Sequence, residues 1–82
     1  MKELLKQMRK ELEYNRMKHI QVLLRYNNCK PCIKFNFVDT EEYKNRLKLI
    51  CSKKYEDKLE LIKETKITLL YEIKEDHHEI MA

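Results

Sequence analysis

Cys29-Lys30-Pro31-Cys32 is the most chemically suggestive spacing in the chain. A Cys-x2-Cys pair with proline before the second cysteine serves elsewhere as a dithiol redox couple or as half of a zinc knuckle. A redox pair sits after a strand and at a helix N-terminus, which lowers the thiolate pKa. Here an amphipathic, helix-like stretch precedes the pair and an alternating stretch follows it, so the redox reading lacks its setting. A closed zinc site needs two more ligands. Cys51, His19, His77 and His78 are the only other cysteines and histidines, and they form no second closely spaced pair of the usual kind. The side chains of adjacent His77 and His78 diverge on any regular element. The expectation is no metal and no cofactor: Cys29 is a loop thiol, Cys32 lies in a strand and Cys51 is a small core residue.

Hydrolytic chemistry needs a nucleophile, a base and a third group that holds the base. Serine occurs once, at Ser52, in a lysine-rich stretch, and His19 falls on an apolar helical stripe. Glu75-Asp76-His77-His78-Glu79 reads as solvated charge in a polar tail. Glycine is absent, which excludes a glycine-rich phosphate loop, a dinucleotide fingerprint and a nucleophile elbow. The chain therefore reads as a non-enzymatic binding protein.

Charge points to what it binds. The formal net charge is +4. Residues 1–28 carry seven Lys or Arg against three acids, and so do residues 29–55, whereas residues 56–82 carry four against eight. A basic surface with an acidic end attracts polyanions, nucleic acid foremost. The bland reading is that the two ends neutralise each other across the fold or across a dimer. The candidate docking residues are Lys34 with Lys44, Arg46, Lys48 and Lys53, and Tyr43 and Tyr55 lie near enough to stack on bases if exposed.

The elements that must position these residues follow from periodicity. Residues 2–27 read as one long amphipathic helix, with Leu5, Met8, Leu12, His19, Val22, Leu23 and Tyr26 on one stripe and no glycine or proline to break it. At 1.5 Å per residue it would run about 40 Å, which outruns a small domain and points to a partner helix in a homodimer. Asn27-Asn28-Cys29-Lys30-Pro31 reads as its stop. From Cys32 to Val38 the chain alternates, with Ile33, Phe35 and Phe37 on one strand face and Lys34 and Asn36 on the other.

Asp39 and Thr40 are N-cap candidates for a second helix carrying Tyr43, Leu47, Ile50 and Cys51 on one stripe and ending near Lys53-Lys54. Leu59 and Leu61, then Ile67, Leu69, Tyr71 and Ile73, alternate as a hairpin turning near Glu64-Thr65-Lys66. Residues 75–82 read as an acidic tail. The expected fold is α+β in one small domain: long helix, strand, second helix and C-terminal hairpin, with both helices on one face of a three-stranded sheet. A mostly helical chain is the alternative if the hairpin fails.

With 82 residues, such a chain buries only about 60–65% of its unfolded surface, so the core is thin. No apolar run exceeds three residues, as in Val22-Leu23-Leu24, far short of a membrane span of roughly 20. An odd cysteine count, no apolar leader and no span together place the expectation in the cytoplasm. The Lys-, Glu-, Ile-, Leu-, Asn- and Tyr-rich composition is that of a low-GC bacterium, or of its phages and mobile elements. The expected function is a phage or mobile-element regulator or inhibitor that docks on nucleic acid or a nucleic-acid-handling protein. The alternative is a protein–protein module that dimerises through the long helix and touches no nucleic acid.

Overall fold

The computed structural model describes residues 2–17, 19–38 and 41–74. The elements run α1 (Lys2–Tyr14), β1 (Ile20–Asn27), β2 (Lys30–Phe37), α2 (Glu41–Lys54), β3 (Leu59–Glu64) and β4 (Thr68–Ile73). All strand pairings are antiparallel and the sheet order is β1-β2-β4-β3. The class is α+β, but the sheet has four strands rather than three. The capping candidates Asp39 and Thr40 and the tail at residues 75–82 lie outside the described residues.

The extra strand comes from the expected long helix, which stops halfway. Leu4, Met8 and Leu12, spaced four apart, bury one stripe of α1. The next turn then closes in a Schellman motif. Met17 donates its backbone N–H to the Leu12 carbonyl at 2.9 Å, Arg16 donates to the Glu13 carbonyl at 3.0 Å, and Arg16 takes a positive φ of 56°. Both apolar residues that flank this cap, Leu12 and Met17, are buried. Asn15 adds a side-chain hydrogen bond from Nδ2 to the Glu11 carbonyl at 2.7 Å. With the terminal carbonyls satisfied, the chain turns through His19, at φ 61°, into β1.

His19, Val22 and Leu23 therefore leave the helical stripe. His19 is exposed before β1, Val22 faces the helices half-buried, and Leu23 points to the opposite sheet face. Met8 and Leu12 are buried as the stripe requires, while Leu5 is only partly buried and Leu4 takes its place in the core.

The expected helix stop at residues 27–31 is a hairpin instead. Asn27 pairs with Lys30, and the two loop residues Asn28 and Cys29 have φ of 52° and 66°, the positive values a type I′ turn demands. Asparagine tolerates that conformation and cysteine has no special ease there. Pro31 sits in β2, two residues before Ile33, and its missing N–H does not prevent the β1 pairing.

Ile33, Phe35 and Phe37 on β2, with Leu69 and Tyr71 on β4, are buried and belong with the α1 stripe and Leu47 to one core cluster. The Phe35 and Tyr71 rings meet edge to face, centroids 6.0 Å apart at 83°. The two helices run antiparallel over this face, since Arg46 reaches the Asn15 carbonyl at 3.4 Å and Lys54 reaches Glu11 at 3.2 Å. The C-terminal hairpin forms as expected, with its turn around Thr65, whose N–H donates to the Thr68 carbonyl at 2.9 Å. The element order is thus α-β-β twice, with β2 and β4 side by side at the centre. No residue-level repeat accompanies it.

Cys29→Gly tests the hairpin. A residue with a Cβ costs about 1–2 kcal/mol in the left-handed region, and glycine returns part of that gain as unfolded-chain entropy. The variant should be about 0.5–1 kcal/mol more stable by chemical denaturation, within the ordinary range for such substitutions. Equal or lower stability counts against the turn.

Candidate nucleic-acid interface

The cations expected on one basic face are divided between two layers. Lys44, Arg46, Lys48 and Lys53 lie on α2, on the helix layer, while Lys34 lies on β2 with its side chain on the opposite face of the sheet, which no described helix covers.

Lys44 is buried, only 5% exposed, which corrects its reading as a surface cation. Its Nζ lies 3.0 Å from Glu64 Oε2 and donates to the Thr65 carbonyl at 3.1 Å. Lys48, one helical turn on, donates to Glu64 Oε1 at 2.9 Å. The register of β3 explains why Glu64 is there. Leu61 stands opposite Tyr71 and Lys63 opposite Leu70, so the ladder slips and Glu64 falls opposite the buried Leu69, on the helix side. A bulge re-aims side chains in this way. Hydrogen bonds from Lys48 and then Lys44 hold the Glu64 carboxyl below the usual glutamate range. Lys44 and Lys48 thus spend their charge clamping α2 to the β3–β4 turn.

Arg46 also works within the chain. It donates from Nη2 to the Asn15 carbonyl at 3.4 Å, at the C-terminal end of α1, a helix with no basic residue in its own last turn. A cation there complements the helix dipole. Lys53 stays exposed in the last turn of α2, beside Glu56 and Asp57. Tyr55 is buried, with its hydroxyl 3.5 Å from a Glu11 oxygen, and is no stacking surface; Tyr43 is half-buried against the core.

The uncovered sheet face carries what the helix layer does not. Across it run Gln21, Leu23 and Arg25 on β1, Cys32, Lys34 and Asn36 on β2, and Thr68, Leu70 and Glu72 on β4, with Glu60 and Lys63 on β3; Cys32, between Arg25 and Glu72, is fully buried there. Lys34 stands at its centre, with Leu23 and Leu70 as its cross-strand neighbours. Asn36 donates to Gln21 at 3.0 Å. Glu72 is partly offset by Lys30 at 3.7 Å. No aromatic side chain occupies this face among the described residues. Arg25 and Lys63 were absent from the expected docking set. Arg25 alternates with Leu24 and Tyr26, a signal the helical reading hid, and Lys63, between Ile62 and Glu64 where the ladder slips, carries no such alternation.

The cysteines fall where their types suggest. Cys29 is exposed at the hairpin turn, and Cys32 and Cys51 are buried. Burial raises the Cys32 thiol pKa and pushes the Cys51 thiol up to about 11. No cluster of three or more metal-binding side chains occurs among the described residues, and none of their helices is long and apolar enough to cross a membrane. No protein-family model, curated protein or solved structure matches the chain.

Two measurements check this layout. Lys44→Glu sets a second carboxylate against Glu64 in a buried position, so it should cost about 3 kcal/mol or more by denaturant unfolding. Lys53→Glu should change stability by less than about 0.5 kcal/mol. Thiol labelling of the native protein should modify Cys29 alone, and labelling in denaturant should modify all three cysteines.

Proposed function

We propose that the protein is a small binding module that docks on double-stranded nucleic acid through the uncovered face of its sheet. The supporting observation is Lys34, fixed at the centre of that face, with Lys63 beyond Leu70 in the same cross-strand row, Arg25 in the row on one side and Gln21, Asn36 and Thr68 in the row on the other. Lysine and arginine neutralise phosphates, and amide and hydroxyl side chains add phosphate and base-edge hydrogen bonds. Sheets and ribbons carry such interactions in other nucleic-acid-binding proteins. The lack of aromatic side chains among the described residues of this face favours duplex over single strands, which are held by stacking. A regulator or inhibitor from a phage or mobile element is the biological role this reading extends to.

A second reading rests on Leu23 and Leu70, which are half-buried rather than covered. An apolar strip beside Lys34 also suits a protein partner with an acidic surface, with no nucleic-acid contact. The long-helix version of that reading loses its helix, because α1 ends at Tyr14 and buries its stripe in its own core.

The experiment is a binding titration of mixed-sequence duplex and single-stranded DNA and RNA at two salt concentrations. Paired charge reversals compare the two layers: Arg25→Glu with Lys34→Glu on the sheet, and Arg46→Glu with Lys53→Glu on the helices. The sheet pair should abolish duplex binding or flatten the log–log salt slope by about 2, one for each phosphate that is no longer neutralised. The helix pair should bind as the parent does. Absence of binding in the parent, or equal loss from both pairs, sinks the sheet-face reading.

A further inference from the structure

The two edges of the sheet are built differently. Edge strands expose a row of unpaired backbone groups, and proteins guard them with charge, bulges and short length. Strand β3 has all three devices: six residues, a register slip between Leu61 and Lys63, and the charges of Glu60, Lys63 and Glu64. Strand β1 has none. It runs eight residues, Ile-Gln-Val-Leu-Leu-Arg-Tyr-Asn, keeps an unbroken register against β2 and carries one charge, Arg25.

The hairpin sets which backbone groups of β1 look outward. In a two-residue loop the closing pair, here Asn27 and Lys30, exchanges its hydrogen bonds, so odd-numbered residues of β1 bond to β2. Even-numbered residues turn their N–H and C=O groups away. The parity agrees with β2, where Phe37 donates outward from this hairpin to the Ile67 carbonyl at 2.7 Å. The outward groups of Ile20, Val22 and Leu24 meet no partner among the described residues. Three donors and three acceptors thus line one edge. Beside them Ile20 and Val22 line an open groove of about 470 Å³ between β1 and α1, shared with Leu12 and Met17 and with the charged or polar Arg9, Glu13, Arg16 and His19.

We infer that the chain dimerises by pairing β1 antiparallel with β1 of a second copy, about a two-fold axis through Leu23, joining two sheets into one of eight strands. The strand is self-complementary in that register. Val22 falls opposite Leu24 and Ile20 opposite Tyr26 on the helix side, which covers both grooves with apolar side chains. Leu23 meets its own copy on the other face, and Arg25 falls opposite Gln21, so no like charges meet. Val22 and Leu24, whose outward groups meet no partner among the described residues, are the ones that register brings into hydrogen-bonded pairs. A one-residue slip would oppose outward groups to inward ones and forfeit them.

The test is the mass of the full chain in solution without nucleic acid, which separates it from the docking assay. Sedimentation should give twice the 10.2 kDa chain mass. Leu24→Pro removes an outward N–H that the chain's own sheet does not use, and proline is tolerated at such an edge position. Leu23→Lys keeps every N–H but sets two cations face to face on the axis, each also opposite Lys34 of its own hairpin, which is destabilising in a cross-strand pair. Both variants should sediment at half the parent mass with the far-ultraviolet circular dichroism of the parent. The Val22 and Leu24 amides should exchange slowly in the parent and fast in Leu23→Lys. A monomeric parent at every concentration measured, or a dimer that survives Leu23→Lys, overturns the inference. So does slow exchange of those amides in a monomer, which would show that the edge is already protected within the chain.

Discussion

A chain without glycine has to make its sharp turns with residues that carry a Cβ, and the rest of this fold depends on where it does so. Four described residues have positive φ: Arg16, His19, Asn28 and Cys29. Only asparagine visits that region with any ease, and each of the others stores on the order of 1 kcal/mol of strain there. That strain is sustained because each turn lies between packed elements. The Schellman cap at Arg16 is held on one side by buried Leu12 and on the other by buried Met17. The I′ turn at Asn28 and Cys29 is held by eight register pairs of the β1–β2 hairpin.

Once β1 exists, the distribution of polar groups follows. Both helices pack on the same face, so their apolar stripes are consumed by the core and their cations are drawn into interactions that hold the layer together. Lys44 and Lys48 converge on Glu64, Arg46 on the α1 terminus and Lys54 on Glu11. Exposed pairs such as Lys54 with Glu11 contribute little individually. The buried ammonium of Lys44 is another matter, because its lost hydration is compensated, among the described residues, by Glu64 and the Thr65 carbonyl. The bulge in β3 therefore has a structural reason: it brings Glu64 to the one lysine that cannot do without it.

Much of this was legible in the sequence where the period was unambiguous. The alternation through Ile33, Phe35 and Phe37, the stripe of Leu47 and Cys51, and the hairpin around Thr65 all appear in the fold. The β1 segment was illegible for a physical reason. Ile20, Val22 and Leu24 alternate, but Val22, Leu23 and Tyr26 also fit a helical face, and no glycine or proline marked the boundary. A Schellman stop built on arginine has no compositional signature. The burial of Lys44 was equally hidden, since lysine is rarely buried and its partner depends on a register slip about twenty residues away. Arg25 became a candidate for docking only once its neighbours across β2 were known.

Lys34 and Lys44 show what separates a structural cation from a functional one here. Both are flanked by apolar residues, and both are held by regular structure. Lys44 meets a carboxylate and a carbonyl inside the fold, so its charge is satisfied before any ligand arrives. Lys34 makes no ion pair among the described residues, and its strand neighbours across the ladder are Leu23 and Leu70, which offer nothing to an ammonium. Its stem lies along apolar surface while its head remains available to solvent or ligand. A cation fixed at the stem by a rigid sheet loses less conformational freedom on binding a phosphate than a freely rotating surface lysine does. That difference, more than the net charge of the chain, is why the uncovered sheet rather than the helix layer is the place to look for a polyanion.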